Sequence, residues 1–391
     1  MKTSSASDRA REIYELYARD LKTEDLQRLF THDTRDAYRF YTRGMDEEAV
    51  GKLPWWQGTG MRARQVFLAF TLKLPAARRI LYLLSLVVAL LGILRLWQGF
   101  ATVDVPLGLP FIRVGLPLPV WADGTFALIL SLVLLNLLVL LEVADRLSLK
   151  GELEVAREIQ LAMLPAGTYR TSDIEICGLT RPANTVGGDF YDVLPLPDGR
   201  VIVTLGDVAG KGSPAALLMA LLLAVLRTLV DEDLPPPALM QRLNGQICRH
   251  SPRSRFITLF YAVYTPSTGA LHYVNAGQTP PFIRRADGRF EKLPATGVAL
   301  GMFEGSTFES AATSLGPGDS LVLYSDGVTE AESPEGQPFD ESGLETFLST
   351  YAAFTAAEIG AEIIRTVERH AGQSRFTDDL TLLVLKRYSS A

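Results

Sequence analysis

The spacing of apolar positions changes along this chain, and each change predicts a different kind of structure. In residues 1–60, Ile13, Leu16, Tyr17, Leu26, Leu29 and Phe30 recur every three or four positions among charges, which predicts amphipathic helices. Pro54-Trp55-Trp56-Gln57-Gly58 then marks a turn with two aromatics, of a kind common at membrane surfaces. Two uncharged apolar runs follow, Ile80 to Leu94 and Gly124 to Leu141, and after Arg95 the first resumes through Trp97 and Phe100. Each run is near the lower limit of the roughly 17–25 residues needed to cross a bilayer. A helix buried in a soluble bundle normally keeps a polar stripe, whereas the second run offers only Ser131 and Asn136. The pattern therefore predicts membrane helices near 80–100 and 124–141, within a membrane region of residues 61–141.

Charge fixes the expected orientation. Arg62, Arg64, Lys73, Arg78 and Arg79 precede the first run, and Arg146, Lys150 and Arg157 follow the second. The connection from Ala101 to Asp123 is rich in Pro and Gly and carries only Arg113, Asp104 and Asp123, so it reads as a short outward-facing loop. Arg95 must snorkel to the outer interface or pair within the bilayer. The expectation is a hairpin in the inner (cytoplasmic) membrane, with both termini cytoplasmic. Nothing in the first residues has the short apolar stretch of a secretory signal.

From Glu142 to Leu164, Val143, Leu147, Leu153, Ala156, Ile159 and Met163 approximate an apolar seam, ended by Pro165 and weakened by Gly151. This segment, 142–164, is expected to be a helical linker through which two copies pair as a homodimer.

After Pro165 the texture becomes strand and turn. Apolar runs at Ile174–Leu179, Phe190–Leu196, Val201–Leu205, Ile257–Tyr264, Leu271–Asn275, Phe282–Arg284, Ser320–Tyr324 and Leu380–Leu385 are separated by turn signals such as Pro197-Asp198-Gly199 and Asp287-Gly288. Helical stretches at Pro214–Val230, Pro236–His250 and near Ala356–His370 are grouped between strands. That order predicts an α+β domain over 165–391, built on antiparallel sheet.

Composition narrows the chemistry. The chain has 391 residues, 48% hydrophobic and 21% charged, with a net charge of −6, and its basic residues form no stripe with interleaved aromatics. Nucleic acid is therefore not an expected partner. Cys177 and Cys248 stand alone, which suits two reduced thiols and excludes a CxxC zinc or redox motif.

Carboxylates recur beside glycine at strand ends: Asp189 after Gly187-Gly188, Asp207 after Gly206, Asp326 before Gly327, and Asp378-Asp379 before the last strand. A carboxylate there is costly to bury without a cation, and several at one sheet edge make an all-oxygen site for a hard divalent ion. Taken singly, an Asp-Gly pair is equally a turn or a cap, so spacing alone leaves the metal site open.

In order, VGGDFYD (186–192), GDVAGKG (206–212), NAGQTPP (275–281), GDSLVLYSDGVTEA (318–331) and TDDLTLLVL (377–385) resemble the SpoIIE/RsbU-type branch of the metal-dependent type 2C protein phosphatases. REIQLAMLP (157–165) is similar to that branch's entry helix, and the resemblance spans roughly Glu154 to Arg387. It implies a two-layer antiparallel β-sandwich flanked by helices, holding two Mn²⁺ or Mg²⁺ ions. By motif, Asp207 would bridge both ions and position the attacking water, with the Val208 carbonyl as a further ligand. Asp189 would serve one ion and Asp326 and Asp378 the other, while Asp379 is either an outer neighbour or the alternative ligand. The implied activity is hydrolysis of phosphoserine or phosphothreonine on an anti-sigma-factor antagonist (STAS-type) protein in partner-switching control. Arg181 is a candidate contact for the substrate phosphate. Gln278 departs from the histidine usual in NAG-x-x-PP, which removes none of the implied ligands.

Two other readings compete. Gly206 to Ser213 looks like a phosphate-binding loop, but its first glycine is one residue too close and Gly212 separates Lys211 from Ser213. A catalytically silent scaffold that binds a phosphoprotein would keep this fold; loss of a ligand carboxylate would mark it, and all are present.

Overall fold

The computed structural model describes residues 67, 71, 74–97, 101–109, 112–120, 122–252, 254–350, 354–372 and 376–388. The helical segment expected over 1–60, the turn at Pro54 to Gly58, and Arg62, Arg64 and Lys73 lie outside the described residues. The chain divides into two units, Met1–Arg146 and Leu147–Ala391.

In the first unit, α1 (Ala76–Trp97) is followed by β1 (Ala101–Leu109), β2 (Ile112–Val120) and the start of α2 (Ala122–Met163). Both helices contain stretches long and apolar enough to cross a membrane, with mean hydropathies of 2.3 and 2.7. Their described side chains are mostly exposed, which suits an apolar surround. Apart from Leu138, the residues buried along these apolar stretches are the small Ser85, Gly92, Gly124 and Ser131. A Cβ on Gly124 would lie 2.6 Å from the Gly92 carbonyl oxygen, so only glycine permits this crossing. Ser131 Oγ donates to the Ser85 carbonyl oxygen at 2.8 Å. At the basic end, Arg78 bonds Glu142 at 3.2 Å and Asp145 at 2.7 Å. These are the close small-residue contacts by which helices associate in lipid.

The structure corrects one expectation here. The connection read as a loop is an antiparallel ribbon, Ala101 paired with Val120 through Leu109 with Ile112. Its prolines (Pro106, Pro117, Pro119) hid the strands, yet proline is tolerated where every strand is an edge. The helix expected to leave the membrane over 142–164 continues the second apolar stretch in one element: α2 runs unbroken for 42 residues, roughly 63 Å at helical rise. Gly151 does not interrupt it, and it meets nothing within 4 Å.

In the second unit the strands β3 (Thr168–Arg170), β4 (Ile174–Arg181), β5 (Phe190–Pro195) and β6 (Val201–Val208) precede helices α3 (Ser213–Val230) and α4 (Pro236–His250). Then come β7 (Ile257–Thr265), β8 (Ala270–Ala276), β9 (Phe282–Arg284), β10 (Phe290–Lys292), β11 (Ala311–Ser314) and β12 (Ser320–Tyr324). The short α5 (Asp326–Thr329), α6 (Asp340–Thr350), α7 (Ala356–Ala371) and β13 (Leu380–Arg387) complete it. One sheet has the order β10-β9-β12-β13-β4-β3 and the other β11-β8-β7-β6-β5, with antiparallel pairing throughout.

Period-two alternation shows how the sheets stack. On β13, Leu383 and Leu385 join the core between the sheets, while Leu380, Leu382 and Val384 join the cluster beneath α6 and α7. A strand buried on both faces reads as an unbroken apolar run, which is why TDDLTLLVL shows no polar alternation. α3 is apolar enough to look like a span, but Met219, Leu222, Leu223 and Leu226 are fully buried in the domain core. It is a core helix covering the second sheet beside α4. The result is helices outside two antiparallel sheets, as expected.

Candidate active site

Antiparallel pairing brings the acidic residues to one end of the sandwich. Phe190 lies opposite Gly206, so Asp189 at the start of β5 and Asp207 near the end of β6 are neighbours. Tyr324 lies opposite Leu382, which places Asp326 after β12 alongside Asp378 and Asp379 before β13. Asp207 and Asp326 together line a cleft of about 220 Å³ with Ala209, Phe256, Thr258, Gly277, Gln278 and Thr279.

Electrostatics marks the cluster. Burial, reinforced by the Asp207 charge, holds the Asp189 carboxyl well above the usual carboxylate range. Asp189 is only 4% exposed, and its Oδ2 has no hydrogen-bond partner. Asp207 is pushed up to about 6 by burial and by Asp326. Asp326 is raised by burial and by Asp378. Carboxylates that raise one another in this way lack only a positive charge.

Part of that charge comes from Lys211 in the turn after β6. Its Nζ lies 2.8 Å from Asp378 Oδ2 and also donates to the Thr377 carbonyl. The Asp378 contact raises the Lys211 pKa. Among the described residues, no three acidic, His or Cys side chains already close around one point as an ion cage. The donor set nevertheless fits a hard divalent cation: all oxygen, mutually repelling, and including a buried, unpartnered Asp189 Oδ2.

Asp379 has a different task from its neighbour. Its Oδ1 accepts from the Ala183 N–H and its Oδ2 from the Gly188 N–H, both at 2.8 Å. It therefore staples the loop that carries Asp189. A Cβ on Gly187 would come within 2.1 Å of Asp379 Oδ2, and one on Gly188 within 2.9 Å of the Val208 carbonyl oxygen. Glycine at both places lets two backbones and a carboxylate meet. Gln160, near the end of α2, completes the loop's support: its Nε2 donates to the Gly187 carbonyl at 2.8 Å and its Oε1 accepts from the Gly187 N–H at 3.2 Å.

Gln278 is buried beside the cleft. It accepts from Thr258 Oγ1, donates from Nε2 to the Tyr324 carbonyl, and donates from its backbone N–H to Asn275 Oδ1. Thr258 in turn pairs with Asp207 across the β6–β7 ladder. An amide here ties three strand ends together. Arg181 pairs with Glu368 and lies over the Phe376 ring at 5.5 Å, and it does not line the cleft. Cys177 is buried and Cys248 partly so, as free thiols, with burial raising both pKa values.

Sequence reasoning had no means of assigning the roles of Lys211, Gln160 and Thr258. Lys211 and Gln160 lie inside the quoted motifs GDVAGKG and REIQLAMLP, which was the only signal available.

Paired sheets between helices, with carboxylates gathered at one end, are the architecture of the type 2C phosphatase fold. It is shared with the SiaA-PP2C domain of Pseudomonas aeruginosa, at a TM-score of 0.56 and 21% identity over 62% of this chain and 98% of that one. Residues 197–388 match the family model of stage II sporulation protein E (SpoIIE). Protein IcfG of Synechocystis is 32% identical over 264 residues, which cover 60% of this chain and 41% of IcfG. Phosphoserine phosphatase RsbU of Bacillus subtilis is 29% identical over 240 residues, covering 61% of this chain and 71% of RsbU.

Proposed function

We propose that this protein is a membrane-anchored, metal-dependent phosphatase that removes phosphate from serine or threonine on a protein. The observation that carries the reading is the carboxylate cluster of buried Asp189 with half-buried Asp207 and Asp326, each pushed above its ordinary pKa and joined by Asp378 at the same sheet end. Asp189, Asp207, Asp326, Asp378 and the Val208 carbonyl would hold two Mn²⁺ or Mg²⁺ ions, with Asp207 between them. Such ions, when bound, supply Lewis acidity and neutralise charge on a phosphoryl group.

The chain's own residues supply the rest. Asp379 and Gln160 fix the loop before Asp189, so that carboxylate need not be ordered at each turnover. Gln278 and Thr258 hold the backbone of β6 and β12 at the cleft floor. Lys211 answers Asp378 and must yield if a cation takes that place. Arg181 would have to exchange Glu368 for substrate phosphate. No cysteine lies in the cleft, in keeping with direct attack by water rather than a covalent enzyme intermediate.

The substrate we infer is a STAS-type antagonist protein in partner switching; the phosphoserine phosphatase activity named for RsbU supports the chemistry, and the motif resemblance supports the partner class. Exposed Val143, Leu147 and Ile159 on α2 support pairing of two copies through this helix. Arg78 and Arg79 in the first turn of α1, and Arg146 and Lys150 past the apolar stretch of α2, support placing both ends of the hairpin in the cytoplasm.

The deciding experiment is hydrolysis of p-nitrophenyl phosphate and phosphocasein by the full chain in lipid nanodiscs, with EDTA, Mg²⁺ and Mn²⁺ in parallel. Metal-dependent turnover is expected. Its absence with every metal would favour the phosphoprotein-binding scaffold instead.

A further inference from the structure

Apart from α2, the second unit exposes five large apolar side chains among its described residues. They are Leu217 (73%), Phe256 (38%), Val298 (45%), Met302 (48%) and Phe303 (63%). Isolated exposed apolar residues are ordinary, but these are not scattered. Phe256 lines the cleft with Asp207 and Asp326, and its carbonyl accepts from the Ala209 N–H at 2.9 Å. Leu217 lies in the first turns of α3, just past the Lys211 turn. Val298, Met302 and Phe303 occupy the loop leading from the bridge of Gly297 with Ala276, beside the cleft residue Gly277.

That loop is anchored rather than slack. Leu300 is fully buried, and its backbone exchanges two hydrogen bonds with Ile257, at 2.8 and 2.9 Å. Asn244 on α4, also fully buried, accepts from the Gly301 N–H at 2.8 Å and donates to the Phe303 carbonyl at 2.9 Å. Gly301 has φ 82°, and a Cβ there would lie 2.9 Å from Ile247 Cγ2. The fold thus commits a buried asparagine and a glycine to hold two large apolar side chains in solvent. An ordered apolar surface at a catalytic mouth loses little entropy on binding.

We propose that Leu217, Phe256, Val298, Met302 and Phe303 form the docking surface for the phosphoprotein substrate, and that it selects phosphoserine flanked by apolar residues over phosphoserine in a polar setting. This rests on the phosphatase reading, since the occupant is inferred from the surface's continuity with the cleft that must receive the phosphate. Arg255 adds a cation at the same rim, donating to the Ala209 carbonyl at 2.5 Å.

The test compares two phosphoserine pentapeptides, one flanked by leucine and phenylalanine and one by glycine, as substrates of the full chain in lipid nanodiscs with Mn²⁺. The wild type should favour the apolar peptide by about tenfold in kcat/KM, expressed in KM. The double variant Met302→Ser/Phe303→Ser, and separately Leu217→Ser, should bring the two peptides toward parity while leaving the glycine-flanked peptide unchanged. Equal use of both peptides by the wild type would overturn the proposal, as would a preference that survives in both variants. An equal fall on both peptides would make the loop structural and equally overturn it. A dimer that the double variant converts to monomer, with wild-type parity between peptides, would assign the face to a second copy. If the wild type hydrolyses neither peptide nor p-nitrophenyl phosphate, the phosphatase reading itself fails.

Discussion

Gln160 and Gly187 exchange hydrogen bonds in both directions, joining the end of the long helix α2 to the loop two residues before Asp189. Both groups are buried. The end of α2 is held in two further ways: Arg227 donates to the Met163 carbonyl while pairing with Asp192, and the Tyr191 hydroxyl donates to the Pro165 carbonyl. A change in α2 would therefore reach the Asp189 loop through Gln160.

Replacing Gln160 by Ala should leave two buried Gly187 backbone groups without partners. The cost expected is about 1–3 kcal/mol, which lowers Tm by roughly 2–4 °C per kcal/mol in a domain of this size. Because the loop also positions Asp189, half-maximal activation should need more Mn²⁺ than in the wild type. Thermal unfolding and a Mn²⁺ titration of turnover check both parts; a lowered Tm with an unchanged Mn²⁺ requirement would reduce Gln160 to a structural contact.

Asp207→Asn should abolish metal-dependent turnover while stabilising the metal-free protein at neutral pH. The sign follows from its raised pKa of about 6 against an ordinary 3.8. Between those values the folded state binds more protons than the unfolded chain, so stability falls as pH rises through that window and stays low above it. The wild-type penalty at pH 7 is on the order of 2–3 kcal/mol, and Asn removes it. Chemical denaturation in EDTA at pH 4.5 and 7.5 reads the slope. An Asp207→Asn protein that keeps the wild-type slope, or keeps its turnover, would remove Asp207 from the centre of the site.

Much of this site was legible because its residues sit where a strand stops. Asp189, Asp207, Asp326 and Asp378 each border a run of apolar residues, and antiparallel pairing can only bring such termini to a common edge. The apolar runs at Phe282–Arg284 and Ser320–Tyr324 match β9 and β12 residue for residue. What escaped was structure whose pattern is too short or too mixed. β3, β10 and β11 have three or four residues, fewer than alternation needs to declare itself. The ribbon of β1 and β2 was masked by proline, and the bond from Gln160 to Gly187 spans 27 positions with no local signature. Arg181 looked available for phosphate because its partner Glu368 lies on a helix far along the chain.

Lys211→Met should raise affinity for divalent cations. Lys211 lies 2.8 Å from Asp378, so any ion served by that carboxylate must displace an ammonium first. Removing the competitor also removes the partner of Asp378, and the metal-free protein should lose some stability while the metal-bound form gains it. The measurement is Tm against Mn²⁺ concentration, with the midpoint moving to lower Mn²⁺ in the variant. A midpoint that moves upward would mean that Lys211 helps to hold the bound state, and the competition account would fall.

Gly124→Leu should separate α1 from α2 without releasing the protein from the membrane. Any side chain at this position meets the Gly92 carbonyl oxygen at 2.6 Å and Leu96 at the same distance, and backbone cannot rotate away as a side chain can. Leucine leaves the apolar length of both helices intact, so membrane retention, set by hydropathy, should survive. The two effects separate in a chain carrying Ser85→Cys and Ser131→Cys, at the positions joined by a 2.8 Å hydrogen bond. Oxidation in isolated membranes should cross-link the pair efficiently with Gly124 present and poorly with leucine there, while carbonate washing extracts neither protein. Cross-linking that is indifferent to Gly124→Leu would sink the close crossing, and release of either protein by carbonate would sink the hairpin itself.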